Sequence, residues 1–214
     1  MKTPFFAVLA FALAGAGSSF AGTIYNNSTN DTLITYFYSA GPYSQIGDSI
    51  ALGGTDRTLT DAMVQFFNNG SAGTFTATLS FWNVGGSQIG SSYVLNGLSM
   101  NQFGILNVTF SSLNLLVPNN LIFTVAISNL SNNTLDIGLN AFEPPSVGSS
   151  NNAQIITRIG SEAFAIGSTA AGEGNLFLKL AATTVPEPST IAMAGGAAIL
   201  AFFAARKRTR KLAN

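Results

Sequence analysis

Apolar and polar residues take turns along much of this chain. In TFTATLSF, Phe75, Ala77, Leu79 and Phe81 alternate with Thr74, Thr76, Thr78 and Ser80. The same two-residue period places Leu106, Val108 and Phe110 on one face, and likewise Leu121, Phe123, Val125 and Ile127. It recurs at Leu135, Ile137 and Leu139 and at Leu176, Leu178 and Leu180. Successive side chains of a strand point to opposite faces, so this period predicts half-buried strands rather than helices. Turn-forming clusters such as NNSTND, NNGSAG, VPNN and PPSVGSSNN separate the runs. Between Gly22 and Thr184 the pattern predicts nine to eleven short strands and no amphipathic helix. The expected fold is all-β: an antiparallel β-sandwich, jelly-roll-like, occupying residues 22–182.

Both ends depart from this pattern. At the start, MKTPFFAVLAFALAGAGSSFAG sets Lys2 before an apolar run from Phe5 to Ala14, and small residues follow. That order is the order of a secretory signal peptide, and Ser19-Phe20-Ala21 has the small-x-small form of a cleavage site. A signal peptide over residues 1–21, cut after Ala21 by signal peptidase, is expected.

At the other end, Ile191 to Ala205 carries no charge. A helix of that length reaches roughly 22 Å, less than the roughly 30 Å of a hydrocarbon core. Length alone therefore also permits a buried helix. The cations Arg206, Lys207, Arg208, Arg210 and Lys211 follow at once. Dense positive charge on one flank is the pattern of a cytoplasmic membrane stop, and long basic side chains snorkel to extend a short span. The expectation is a transmembrane helix over 191–205 with a basic tail over 206–211. Ahead of it, Pro186 and Pro188 hold the backbone extended, and Ser189 or Thr190 caps the helix.

The tripartite tail resembles the PEP-CTERM sorting signal. The residues that carry the likeness are Val185-Pro186-Glu187-Pro188-Ser189-Thr190, the Gly/Ala-rich span and Arg206-Lys207-Arg208. The resemblance implies handling by an exosortase, a membrane transpeptidase of Gram-negative bacteria that make extracellular polysaccharide. Pro186, Glu187 and Pro188 would be its recognition residues within a sorting region over 183–214. The stretch QIGDSIALGGTDRTLTDAMVQF, followed by GTFTATLSFW, is also similar to the β-sandwich modules common in proteins with this tail.

Composition narrows the chemistry. The chain has no Cys and no His, which excludes disulfides, thiol chemistry, imidazole bases and the usual zinc sites. Between Gly22 and Thr184, three cations face eight anions, a net charge of −5. Such a surface repels phosphate backbones, so no nucleic-acid partner is expected. Glu143 and Glu162 are candidate carboxylates for glycoside hydrolysis, weighed against a simpler reading as solvated loop charges. Asp48, Asp56 and Asp61 are candidate calcium ligands, but no D-x-D-x-D-G loop surrounds them, so the expected cofactor is none. Trp82, Tyr36, Tyr38, Tyr43 and Tyr93 are candidates for stacking on sugars, though strand aromatics more often fill cores. Seven N-x-S/T triplets begin at Asn26, Asn27, Asn30, Asn69, Asn107, Asn129 and Asn132.

The resulting expectation is a non-enzymatic, exported protein. Its precursor is anchored in the inner membrane, and the product resides at the cell surface or in the extracellular matrix. Its expected role is structural or adhesive, among exopolysaccharide in a biofilm. The alternatives are a carbohydrate-binding module and, further off, a glycoside hydrolase.

Overall fold

The segments with a two-residue period form strands, although Leu135 lies ahead of its strand and Phe177 divides Leu176 from Leu178, and the strands pair into two antiparallel sheets. The structure, a computed structural model, describes residues 21–151, 154–168 and 175–183, which belong to one compact unit spanning 21–184. In chain order the strands are β1 (Gly22–Asn27), β2 (Asp31–Phe37), β3 (Gln45–Ala51), β4 (Thr58–Asn68), β5 (Gly73–Asn83), β6 (Gln88–Met100) and β7 (Ile105–Leu116). There follow β8 (Asn120–Ser128), β9 (Ile137–Phe142), β10 (Ser149–Ser150), β11 (Gln154–Arg158), β12 (Ala165–Ser168), β13 (Asn175–Leu176) and β14 (Leu178–Thr183). A single 3-10 turn, Tyr38–Ala40, interrupts them. These fourteen strands exceed the nine to eleven expected, because β10 and β13 are two residues each and β12 is four. Pieces that short show no period in a sequence.

In the first sheet, β4 pairs with β7 along one side. Its other side is shared by β14 over residues 58–64 and by β9 over residues 66–68. The small strand β1 lies beyond β14, and β2 and β13 both pair with β9. The second sheet runs β12-β11-β3-β8-β5-β6, with β10 attached to β3.

The core lies where the two apolar faces meet. Phe75, Leu79, Phe81, Phe123 and Val125 come from the second sheet, and Leu59, Val64, Phe66, Phe110 and Leu180 from the first. Phe66 and Phe75 meet across the two sheets, ring centres 5.1 Å apart in an edge-to-face contact. One irregularity makes this face continuous. In β4 the register shifts between Leu59 and Asp61, so Leu59 and Ala62 both point inward although they are three residues apart. Among the described residues no helix is long and apolar enough to cross a membrane. The expected span over 191–205 lies outside them, as do residues 1–20.

Phe123 sits at the middle of β8 with its side chain fully buried. Truncating an aromatic there removes its transfer energy and leaves a cavity, about 3–5 kcal/mol together. Phe123→Ala is expected to lower the unfolding free energy by that amount, read as a lower urea midpoint with an unchanged slope. A loss below about 1 kcal/mol, against that range, would mean that the two faces are not closed on each other.

Candidate functional site

The apolar interior contains one acid. Asp48 pairs with Phe123 across β3 and β8, so it shares the inward face with Ile46 and Ile50. It is buried, at 1% exposure. Its Oδ1 accepts the Ser49 N–H at 2.6 Å. Ser150 Oγ lies 2.9 Å from Oδ2 and 2.8 Å from the Ser49 carbonyl, so both acceptors share its hydroxyl proton. The Leu176 backbone N–H also donates to the carboxylate. Leu176 belongs to the first sheet and Asp48 to the second, so this carboxyl links the two layers. Burial pushes Asp48 up to about 7, against the opposing pull of its three donors. The Tyr25 phenol is buried beside it, and both burial and the Asp48 charge hold that phenol protonated.

Asn27 completes this polar interior on the side of the first sheet. Its Nδ2 donates to the carbonyls of Phe142, Asn175 and Leu176, closing β1 onto β13 and the end of β9. Tyr25 and Ser150 were not candidates from the sequence, and Asn27 was one only as the start of an N-x-S/T triplet. The signal was present for Asp48 alone: in IGDSI, period two sets it between Ile46 and Ile50 on the apolar face.

A second cluster lies on the outer face of the second sheet. Trp82 projects outward from β5 and packs with Ile122, Ile156 and Phe164. Its Nε1–H donates to Thr124 Oγ1 at 2.9 Å, and Thr124 donates on to Gln45 Oε1 at 2.9 Å. The Arg158 guanidinium stands 4.8 Å over the Trp82 ring and 5.2 Å over that of Phe164. Phe164 meets Trp82 edge-on at 5.1 Å. The indole is thus covered, and no face is left for a sugar. Tyr38 is buried and donates to the Val125 carbonyl at 2.6 Å. Tyr93 donates to the Leu113 carbonyl at 2.7 Å and so ties β6 to β7. Tyr36 and Tyr43 alone line open space. With Phe37, Ile46, Ile155 and Thr157 they border a cavity of about 260 Å³.

The remaining candidates are not brought together. Asp48 belongs to the second sheet, Asp61 to β4 of the first, and Asp56 to the loop between β3 and β4. Among the described residues no three acidic side chains gather as a metal-binding group. Glu143 follows β9 in the first sheet, and Glu162 lies in the turn between β11 and β12 of the second. Of the seven triplets, Asn27 is fully buried with its amide committed, whereas Asn30, Asn69, Asn107 and Asn129 are exposed. Pro186, Glu187, Pro188, Arg206, Lys207 and Arg208 lie outside the described residues.

Those six residues fall within a stretch that matches a known motif. Residues 184–208 match the PEP-CTERM protein-sorting motif. The chain carries a PEP-CTERM sorting motif. The motif implies an exported protein that passes through a membrane-anchored precursor and is sorted by an exosortase. The match begins one residue after Thr183, the last residue of β14. No curated protein matches the chain. Among solved structures, a chain from the structure of infectious bursal disease virus Gt strain is similar at 14% identity over 80% of this chain and 37% of that one. Its TM-score of 0.28 is too low to define a fold.

Asp48 gives the domain a pH dependence with a definite sign. Its carboxyl is held above the unfolded value, so the folded state keeps the proton more tightly. The stability this contributes is full below about pH 4 and is lost as pH rises through about 7. Between pH 5.5 and 8.5 that amounts to about 2 kcal/mol, at about 1.4 kcal/mol per unit. Urea titrations are expected to show the decline in wild type, and Asp48→Asn is expected to flatten it. A variant that kept the full decline would assign it to another group.

Proposed function

We propose that this protein is a non-enzymatic structural or adhesive component of a Gram-negative cell surface or extracellular matrix, delivered by exosortase sorting. The sorting motif at residues 184–208 carries the reading. In this scheme signal peptidase cuts after Ala21, and residues 191–205 hold the precursor in the inner membrane. Arg206, Lys207 and Arg208 stop it there, and the exosortase reads Pro186, Glu187 and Pro188. The sandwich between the cuts, residues 22–182, is the part delivered outward, among exopolysaccharide.

The strand orders support a jelly-roll reading of that sandwich. β1-β14-β4-β7 faces β3-β8-β5-β6, and chain-consecutive strands mostly alternate between the layers. A non-catalytic role is supported by the placing of Glu143 and Glu162 in loops beside different sheets, and by the interior hydrogen bonds that occupy Asp48. One observation favours glycan binding as a second reading: Tyr36 and Tyr43 border a cavity of about 260 Å³, just under the roughly 300 Å³ at which ligand pockets begin.

Sorting is open to direct test. Replacing Pro186 and Pro188 with Ala frees the strip and lets a helix grow into it. The anchor and its basic flank are untouched. In a host with an exosortase, wild type is expected to start at Gly22, lose its C-terminal segment and move outward. The double variant is expected to stay in the inner membrane at precursor size. Fractionation with antibodies to the sandwich and to a C-terminal tag reads both. Trimming and release of the variant like wild type would reduce Pro-Glu-Pro to a linker.

A further inference from the structure

No charged residue lies between Asp61 and Asp136. That stretch supplies both long margins of the sandwich. In the strand ladders β6 pairs only with β5 and β7 only with β4, and they are 13 and 12 residues long; the one Tyr93 hydroxyl bond to Leu113 lies beyond Ser111. The other strands paired on one side only are shorter: seven residues in β2, six in β1, four in β12 and two each in β10 and β13. A sheet margin presents a row of unpaired N–H and C=O groups, which proteins usually guard with lysine, proline, bulges or shortness.

The two long margins are guarded unequally. β6 shifts register twice against β5, and its Gly90 and Gly97 both have φ near +66°. Those kinks spoil it as a template. β7 from Ile105 to Ser111 has no such protection. It runs in unbroken register against Phe67 to Asp61 and contains neither proline nor charge. Irregularity begins only beyond it, where Ser112 and Asn114 have positive φ. Val108 and Phe110 point into the core, while Asn107, Thr109 and Ser111 stand exposed. Ile105 is 59% exposed and Phe103, in the turn leading in, 64%.

We infer that Ile105–Ser111 is a docking edge for the same segment of a second copy of this chain, paired antiparallel about a two-fold axis. The occupant follows from shape and charge. An extended backbone with free donors and acceptors is completed by another strand. Two-fold antiparallel pairing is self-complementary, since residue i of one copy meets residue j of the other and the reverse. The described unit is net negative, and the edge itself carries no charge; Asp61 stands opposite Ser111 at one end of it, so two copies repel little along the rest of this margin. Small polar side chains at Asn107, Thr109 and Ser111 pair across such a junction without a clash. The first sheet then runs continuously through both copies. This deepens the structural role proposed above by naming the partner, and it rests on that reading only for its biological purpose.

The absence of cysteine makes the test clean, because one introduced thiol is unique. Asn107→Cys, Thr109→Cys and Ser111→Cys would be made in the full-length chain, with Ser161→Cys in the β11–β12 turn as the distant control. Expression in a host without an exosortase keeps sorting out of the readout. Membrane and soluble fractions are treated with a bismaleimide of about 8 Å reach, which spans direct and diagonal cross-strand neighbours. The fractions report on the anchor; the dimer yield reports on the edge. The β7 variants are expected to give covalent dimer at least five-fold above Ser161→Cys, highest at one residue near the axis. Adding Thr109→Lys to Asn107→Cys is expected to bring the yield down to the control level. Equal yields at all four sites, no dimer at any β7 site, or a dimer that survives Thr109→Lys would overturn the inference.

Discussion

With no cysteine and few ion pairs to rely on, the domain depends on pressing two apolar faces together. Each strand offers only half its side chains to that contact, so every inward position matters more than it would in a thicker fold. The aromatic contact between Phe66 and Phe75 spans the layers, and the aliphatic residues around it fill the gap. The bulge in β4 belongs to the same constraint. Without it, Leu59 would turn outward while Ala62, Val64 and Phe66 remained inside. A buried leucine is worth roughly 2 kcal/mol of transfer energy, enough to justify one broken register.

Asp48 is the exception that this apolar contact tolerates. An unpaired carboxylate in such an interior is too costly to keep, and proteins resolve it by pairing, hydrogen bonding or protonation. Here two of these act together. Three donors converge from β3, β10 and β13, and burial keeps the proton affinity high. The donors come from segments that are otherwise weakly held, two of them only two residues long. The acid thus gathers strands that have too little apolar surface to attach themselves.

Legibility in the sequence followed the physics of each feature. The half-buried strands were legible because burial on one face forces a period of two. The bulge at Leu59 was not, since it is a departure from that period whose cause lies in the partner strands. Asp48, Asp56 and Asp61 read as a set because they are close in sequence, and topology sent them to different layers. Trp82 read as either core or ligand platform. It is packed rather than open, in a small buried cluster on the outer face that Arg158 and Phe164 complete from a hairpin far along the chain. The sorting tail was the plainest feature, since its information is linear: prolines, an uncharged run and a basic cluster in order.

β14, whose last residue immediately precedes the sorting motif, also has mechanical consequences. It is not a margin strand: β1 lies along one side and β4 along the other. Any pull transmitted from a surface attachment at the C-terminal end enters the domain along the axis of this strand. Hydrogen bonds on both flanks then bear the load in shear, many at once, rather than being peeled one by one. Gly22 pairs with Ala182, so the opposite terminus emerges beside the loaded one and carries none of the tension. A domain loaded at that end resists the pull with a strand bonded along both flanks.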